Sequence, residues 1–379
     1  MSSPVSVYVH FPWCLQKCPY CDFASSALRR DKIPHDVYAD AVLRELDSRA
    51  EQVRGRALAS VFFGGGTPSL WDASAIGRVL RRARGLFAAV PDDLEVTVEC
   101  NPTSIDGERA AALAAVGVNR LSIGVQSLDD GRLLRLGRLH SARGALVAVR
   151  AAMTAELRVS ADLIFGVDGQ SAAEAVDETR SLLDLGIGHL SAYALTLEPG
   201  TKFGELARRG RRLTVSDDTF ADSYEAIERA CAAYGLEHYE ISNYARAGER
   251  SRHNLHYWRG GEYLGVGAGA VGRVNDARWR NDADAARYVE RPDDPAVWTE
   301  QLSPSDRVRE GLMLGLRTVE GVSLPSLGRD AGIDVARGRE PALRRSLSRG
   351  DIVADDGGRS IRIPRDRWLR ADDIVASLF

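Results

Sequence analysis

Three cysteines near the start of the chain have the most distinctive chemistry in the sequence. Cys14, Cys18 and Cys21 occur within VHFPWCLQKCPYCDF, with C-x3-C-x2-C spacing. Thiolates are soft ligands that suit both zinc and iron–sulfur clusters. A structural zinc site usually takes four protein ligands, commonly from C-x2-C pairs. A [4Fe–4S] cluster held by three cysteines leaves one iron open to a different ligand. The spacing therefore favours a cluster over zinc.

The composition indicates a globular protein that keeps its thiols reduced. The chain has 379 residues, 44% of them hydrophobic, and a formal net charge of -3, which gives no electrostatic reason to expect nucleic-acid binding. The start of the chain has no signal-peptide pattern, and no apolar run reaches the roughly 18 residues of a membrane span. We therefore expect a cytoplasmic protein, and its five cysteines, three of them clustered, indicate metal binding and not disulfides. The two remaining cysteines are Cys100, which could in principle reach the cluster site but is better explained as a buried small side chain, and Cys231.

Short β-branched runs alternate with amphipathic segments through the first half of the chain. The pattern predicts strands at 5–11, 58–63, 94–99, 120–125, 158–165 and 189–195. It predicts helices near 35–53, 73–88, 107–116, 141–155 and 171–185. Six β-α units in series favour a parallel sheet with outer helices. The predicted fold class is α/β, a partial (β/α)6 TIM-like barrel with a small C-terminal module.

The second half of the chain is less regular. A helix near 216–234 and a strand at 237–242 precede a predicted polar loop at 243–258. The stretch DIVADDGGRSIRI predicts a hairpin, which is typical of a small α+β module of the winged-helix kind. We therefore divide the chain into a barrel at 1–200, a barrel extension at 201–295 and a winged-helix-like domain at 296–379.

Polar residues collect where the predicted strands end. Active sites of parallel β-α barrels form at the C-terminal ends of their strands. The cysteines follow the first strand and GGGTPS (64–69) follows the second. Glu99 ends the third strand, Gln126 ends the fourth, and Asp162 and Tyr193 lie within the fifth and sixth. Their common placement predicts one site at this end of the barrel.

Each of these features also has a purely structural explanation. Gly64, Gly65 and Gly66 let backbone groups approach a ligand closely, but a tight turn uses the same residues. The loop lacks the lysine of a P-loop, so it does not indicate a nucleoside triphosphate. A carboxylate such as Glu99 can cap a helix, although Asp106 is the better cap after the third strand. In the functional interpretation, one carboxylate accepts hydrogen bonds from an ammonium group and another from a ribose.

The motifs together resemble a known family. The sequences YVHFPWC-x3-C-x2-C, FFGGGTPS, VECNP, SIGVQSLDD and LGRLHS are similar to radical S-adenosylmethionine (SAM) proteins of the oxygen-independent coproporphyrinogen III oxidase group. The resemblance covers nearly the whole chain. It implies a [4Fe–4S] cluster on Cys14, Cys18 and Cys21, with SAM bound through its amine and carboxylate at the open iron. It also implies a set of SAM or nucleoside contacts at Tyr8, Tyr20, Gly65, Gly66, Thr67, Glu99, Gln126, Arg138, Asp162 and Ala194.

Two features make the chain resemble the haem chaperone branch of that group, HemW, more closely than the oxidases. The oxidases have a further cysteine two residues after the third, and this chain has Phe23 there. The stretch HNLHYW (253–258) matches the H-N-x-x-Y-W motif of the branch. It implies haem contacts at Asn254, Tyr257 and Trp258, with His253 as ligand of the haem iron.

The residue types of HNLHYW suit that role without the family. A neutral imidazole is a good axial ligand for iron, and tyrosine and tryptophan offer flat apolar faces to a porphyrin. A surface loop with an aromatic anchor is the alternative explanation. His256 is a competing ligand that the sequence does not exclude.

The resemblance implies a haem chaperone that passes haem to haemoproteins such as respiratory cytochromes or bacterioferritin-like proteins. It would carry a SAM-bound [4Fe–4S] cluster without coproporphyrinogen oxidase activity, as a monomer or homodimer with possible peripheral membrane association. Two alternatives stay open at this point. One is a radical-SAM enzyme that acts on a tetrapyrrole, either as the decarboxylase or as a haem-opening enzyme, and the other is a zinc-stabilised binding module.

Overall fold

The strands of the protein form one large sheet and two small ones. The computed structural model describes residues 3–355 and 357–379. The strands are β1 (Val5–Phe11), β2 (Trp13–Cys14), β3 (Ser26–Ala27), β4 (Leu58–Gly65), β5 (Glu95–Cys100), β6 (Arg120–Gln126), β7 (Arg158–Phe165), β8 (His189–Ala194), β9 (Glu237–Glu240), β10 (Asn243–Ala245), β11 (Glu262–Val266), β12 (Val271–Val274), β13 (Ala277–Asn281), β14 (Ala296–Gln301), β15 (Val322–Ser323), β16 (Val353–Asp355) and β17 (Ser360–Arg362).

The helices alternate with these strands along the chain. They are α1 (His35–Ser48), α2 (Ala73–Gly85), α3 (Gly107–Ala115), α4 (Asp130–Arg135), α5 (Ala142–Thr154), α6 (Ala172–Leu183), α7 (Lys202–Arg208), α8 (Asp217–Ala233), α9 (Arg252–Trp258), α10 (Ala285–Glu290), α11 (Pro304–Gly315), α12 (Leu324–Ala331), α13 (Glu340–Ser348) and α14 (Ala371–Ala376). Several begin at a side-chain cap, among them Asp106 before α3, as the sequence predicts.

The six predicted barrel strands form the centre of a twelve-stranded sheet. Its order is β14-β13-β12-β11-β1-β4-β5-β6-β7-β8-β10-β9. The strands β1, β4, β5, β6, β7 and β8 are parallel to their neighbours within this block. The strand β11 adds to β1 in parallel, and the strands at both outer edges are antiparallel. The α/β prediction of a six-unit parallel barrel is confirmed.

The two faces of the central strands differ in chemistry. In β6, Leu121, Ile123 and Val125 belong to the apolar core beneath the helices. Arg120 and Ser122 alternate with them and face the interior of the barrel. The core therefore lies between sheet and helices, while the barrel interior is polar.

The prediction of a polar loop at 243–258 is wrong. Residues Asn243–Ala245 form β10, which pairs antiparallel with both β8 and β9. Residues Arg252–Trp258 form α9, whose first turn is capped by the Ser251 hydroxyl. Polar composition predicted a loop here, but the buried Glu95 carboxylate also accepts from the first backbone N–H groups of α9 and stabilises a helix.

The C-terminal part contains the predicted hairpin. The strands β16 and β17 pair antiparallel, and β15 pairs with the other edge of β17. The helices α11 and α12 pack beside this three-stranded sheet. Among the described residues, no helix is long and apolar enough to cross a membrane.

Candidate cofactor and ligand site

The cysteine loop is fixed to the glycine turn that follows β4. The backbone N–H of Gly66 donates to the Phe11 carbonyl at 2.7 Å, and that of Thr67 donates to the Trp13 carbonyl at 2.8 Å. A Cβ on Gly66 would lie 2.5 Å from the Trp13 carbonyl oxygen, so this approach requires glycine. The first cysteine is thus held at the C-terminal end of the barrel, where the sequence predicts the site.

The three thiols of the loop are half-buried and lie near a cation. Burial raises the pKa of Cys14 and of Cys21. The Arg138 guanidinium donates to Sγ of Cys18 at 3.3 Å, and a positive group there stabilises a thiolate. No three His, Cys, Asp or Glu side chains among the described residues are grouped to hold a single metal ion. Three thiolates in one loop fit a [4Fe–4S] cluster with one iron left open, whereas a structural zinc site usually takes four protein ligands.

Tyr8 is connected to the cysteine loop through His10. The Tyr8 hydroxyl lies 3.0 Å from Nδ1 of His10, and Nε2 of His10 lies 2.8 Å from the Ala24 carbonyl oxygen. A carbonyl only accepts, so Nε2 carries the imidazole hydrogen and Nδ1 accepts from Tyr8. Burial lowers the pKa of His10, which keeps the ring neutral. His10 thus fixes the orientation of Tyr8 relative to the loop.

Glu99 meets the glycine turn at the end of β5. Its carboxylate accepts a hydrogen bond from the backbone N–H of Gly65 at 3.1 Å. Burial, together with the negative charge of Asp162, raises the pKa of Glu99 to about 8. The carboxylate is therefore placed to accept from an ammonium group, and a bound cation would favour its ionised form.

Asp162 and Gln126 lie on the same interior surface. The Asp162 carboxylate accepts hydrogen bonds from the hydroxyls of Ser122 at 2.9 Å and Ser160 at 3.0 Å. Burial raises the pKa of Asp162, and the serine hydrogen bonds oppose that shift. Gln126 has a positive φ of 67°, uncommon for a residue other than glycine, and it interrupts the register between β6 and β7. Strained backbone of this kind is frequent at binding sites.

Arg138 joins Tyr20 to the end of β6. Its guanidinium donates to the Gly124 carbonyl at 2.9 Å and to the Tyr20 hydroxyl at 3.5 Å. Tyr20 also packs against Phe203 with ring centroids 6.3 Å apart. The remaining predicted contact, Ala194, is the last residue of β8 at the same end of the barrel.

The HNLHYW segment lies at the opposite, N-terminal end of the barrel. The Glu95 carboxylate, at the start of β5, accepts from the backbone N–H of Arg252 at 3.1 Å and of His253 at 2.9 Å. The same carboxylate pairs with Arg158. These contacts hold the first turn of α9 against the ends of the strands.

His253 points into the barrel from this helix. Its Nδ1 lies 2.8 Å from the Ser60 hydroxyl, and its ring stacks on Phe62 with centroids 4.8 Å apart. Tyr8 is the next ring, with centroids 6.5 Å from His253. Burial lowers the pKa of His253 to about 3, so the imidazole is neutral at physiological pH. The side chain is only 8% exposed. The stack of Tyr8, Phe62 and His253 connects the two ends of the barrel interior.

The other side chains of the motif differ in their accessibility. His256 is half-buried and its Nε2 lies 2.8 Å from the Glu262 carbonyl oxygen, to which it donates. Tyr257 is 38% exposed, and its ring packs against the ring of Tyr263 with centroids 4.9 Å apart. Asn254 and Trp258 are half-buried, and the buried Nε1 of Trp258 has no acceptor in the described part of the chain.

Comparison with known proteins identifies the family. Residues 8–183 match the family model described as Radical SAM superfamily. A protein from Escherichia coli (strain K12) named Heme chaperone HemW is 42% identical over 274 residues, which are 72% of this chain and 70% of that protein. A protein of the same name from Mycobacterium tuberculosis is 36% identical over 99% of this chain and 95% of that protein. The chain belongs to the HemW family of radical SAM proteins.

A solved structure confirms the fold of this HemW-family chain. The coproporphyrinogen III oxidase HemN from Escherichia coli, a radical SAM enzyme, superposes with a TM-score of 0.83. The match covers 99% of this chain and 90% of HemN at 21% identity. At that identity the likeness establishes the fold alone, including the C-terminal module.

Several residues of the site were missed by reasoning from the HemW-family motifs. His10, Ser60 and Arg120 each contact or influence a predicted site residue. All three are lumen-facing positions of strands that the sequence does predict. Strict alternation along RLSIGVQ, which places Arg120 on the face of Ser122, would have identified the arginine.

Proposed function

We propose that this protein is a haem chaperone that binds haem and passes it to haemoproteins, without coproporphyrinogen oxidase activity. The observation that carries the proposal is its 36% identity, over 99% of the chain, to a protein named Heme chaperone HemW. That span includes α9 and the C-terminal module. In this proposal the barrel, residues 1–200, contains the cofactor site. The barrel extension, residues 201–295, contains the haem motif, and residues 296–379 form the C-terminal domain.

The cysteine loop would hold a [4Fe–4S] cluster through Cys14, Cys18 and Cys21. When bound, the cluster supplies an open iron for the amino-acid end of SAM and a source of one electron. Glu99 suits the SAM amine as a hydrogen-bond acceptor, because its carboxylate lies at the glycine turn and accepts from Gly65. The remaining SAM contacts that we propose are Tyr8, Tyr20, Gly65, Gly66, Thr67, Gln126, Arg138, Asp162 and Ala194.

His253 is better suited than His256 to bind the haem iron. Metal-binding imidazoles commonly use one nitrogen for the metal while the other is held by a hydrogen bond. In His253, Nδ1 contacts Ser60 and Nε2 has no hydrogen-bond partner among the described residues. In His256, Nε2 already donates to the Glu262 carbonyl. Asn254, Tyr257 and Trp258 would then contact the porphyrin.

Haem access to His253 requires a local movement. The side chain is 8% exposed, whereas Tyr257 of the same helix is 38% exposed. The seven residues of α9 form a short helix, so displacing it breaks few backbone hydrogen bonds. We therefore propose that haem first contacts Tyr257 and reaches His253 as α9 shifts from β4.

The biological setting follows from the same proposal. The acceptors would be apoproteins such as respiratory cytochromes or bacterioferritin-like proteins, in the cytoplasm or at the membrane surface. Peripheral membrane association would bring the chaperone to membrane-bound acceptors, as a monomer or a homodimer.

One preparation tests the function against its main alternative. The anaerobically purified, cluster-loaded protein is given coproporphyrinogen, SAM and a reductant, and separately haem and an apo-cytochrome. We expect haem transfer to the apo-cytochrome and no protoporphyrinogen. Protoporphyrinogen formation without haem transfer would instead establish the tetrapyrrole decarboxylase. Opened haem products would establish the haem-opening enzyme.

A further inference from the structure

The interior of this barrel is polar where other parallel barrels are filled with branched apolar side chains. Typical (β/α) barrels pack layers of valine, isoleucine and leucine in this space. Here the corresponding positions include Thr97, Arg120, Ser122, Ser160, His189 and Ser191, on successive strands in register. An interior of this composition is built to contact polar groups.

Arg120 is the most unusual member of this set. It is the first residue of β6, and its side chain is 2% exposed. Its guanidinium has no hydrogen-bond or ion-pair partner among the residues that the structure describes. A buried charge without a partner is destabilising, and native proteins rarely retain one without a ligand or function.

A second unpaired polar group lies on the neighbouring strand. Thr97 of β5 is the register partner of Arg120, and it is fully buried. Its hydroxyl has no hydrogen-bond partner within the described ranges. A cationic fork and a hydroxyl donor on adjacent strands form a donor set for a planar anion.

The nearby carboxylates of the protein do not fill this set. Glu95 is bound by Arg158 and by the start of α9. The Asp162 oxygens accept from Ser122 and Ser160. Glu99 accepts from Gly65 at the far, C-terminal end of β5. Arg120 influences Glu99 and Asp162 only through space.

We propose that Arg120 and Thr97 form a carboxylate-binding subsite inside the barrel, which anchors a propionate of the bound haem. The subsite rests on the proposed haem-chaperone function. Two ligands of this protein would carry a carboxylate, haem and SAM. Arg120 begins β6 at the N-terminal strand ends, where α9 and His253 also lie. Haem is thus the better match, because the SAM site lies at the opposite strand ends.

The test compares each acid with its analogue that lacks the carboxylate. Haem and haem dimethyl ester are titrated into the full-length, cluster-loaded protein and its Arg120→Gln variant, with affinity read from the Soret band. SAM and decarboxylated SAM are compared by calorimetry on the same samples. We expect the native protein to bind haem about 10- to 100-fold more tightly than the ester, as a charge-assisted hydrogen bond predicts. The affinities of Arg120→Gln for haem and for haem dimethyl ester should agree within about twofold.

The ratio of the affinities for haem and its ester, measured on one preparation, distinguishes loss of the subsite from loss of folded protein. Arg143→Gln, at an exposed arginine, serves as the control and should keep the native ratio. If Arg120→Gln does not fold, Thr97→Val removes only the hydroxyl at nearly constant volume and should lower the haem-to-ester ratio severalfold. A native haem-to-ester ratio in folded Arg120→Gln, or in Thr97→Val where Arg120→Gln does not fold, would overturn the proposal. Loss of discrimination against decarboxylated SAM alone would also overturn it, since the subsite would then serve SAM. Failure of the native protein to bind haem would reject the proposed function itself.

Discussion

The raised pKa of Glu99 predicts a pH-dependent affinity for SAM. Burial and the nearby Asp162 charge raise the pKa of Glu99 to about 8, far above that of a carboxyl group in water. The ionised carboxylate accepts a hydrogen bond from the amine of SAM, so part of the binding free energy is spent on releasing the Glu99 proton. Affinity for SAM should therefore fall as the pH falls below 8.

The size of the effect follows from the ionised fraction. With a pKa of about 8, roughly 9% of Glu99 is ionised at pH 7 and roughly 1% at pH 6. The affinity should therefore fall about ninefold between pH 7 and pH 6, or about 1.3 kcal/mol of binding free energy. An amine that binds the open iron must also release the proton of its ammonium form, which adds a slope of its own. The ninefold factor is therefore the difference between the slope of the native protein and that of a variant without the Glu99 carboxylate.

Calorimetric titration of SAM into cluster-loaded protein at pH 6.0, 6.5 and 7.0 measures this slope. Glu99→Gln is the matched control, since an amide keeps the shape of the side chain and does not titrate. We expect the variant to bind SAM more weakly, and its affinity should fall about ninefold less between pH 7 and pH 6 than that of the native protein. Equal slopes for the native protein and the variant would refute the assignment of Glu99 as the acceptor for the SAM amine.

Three further substitutions test other parts of the structure. Ser60→Ala removes the hydroxyl that lies 2.8 Å from Nδ1 of His253, so haem affinity in a Soret titration should fall about 10-fold or more. Ser26→Ala, at an exposed serine, is the control. Equal haem affinities in the two variants would contradict the role of Ser60. Gly66→Ala places a Cβ 2.5 Å from the Trp13 carbonyl oxygen of the cysteine loop, so the content of iron and sulfide per chain should fall by more than half. An unchanged content would show that the loop adapts to the added methyl group. Glu45→Ala removes the buried acceptor of the Gly267 N–H, the Tyr288 hydroxyl and the Arg49 guanidinium. The free energy of unfolding measured in urea should therefore fall by about 3–5 kcal/mol. A fall below about 1 kcal/mol would contradict the importance of these contacts.

The barrel strands could be predicted because their sequences are long and regular. The β-branched runs of β1 and β7 agree with the structure at both ends, and the glycine turn after β4 marks a close backbone approach. The C-terminal ends of such strands meet at one edge, so the convergence of the cysteine loop and Glu99 followed from topology. Local sequence and fold agree throughout this region.

The environment of the haem motif could not be predicted in the same way. The helix α9 has only seven residues, too few for a helical period to be recognised, and its stability depends on the distant Glu95 carboxylate. The burial of His253 against Ser60 and Phe62 likewise comes from residues almost two hundred positions away. Long-range contacts of this kind leave no trace in the spacing of HNLHYW.

Haem titration of His253→Ala beside His256→Ala tests the central claim most directly. Both variants lose one imidazole from the same helix, so circular dichroism provides the control for folding. The account predicts that His253→Ala loses the Soret shift and at least about 10-fold in haem affinity, while His256→Ala keeps the spectrum of ligated haem. A native spectrum and affinity in His253→Ala would contradict it.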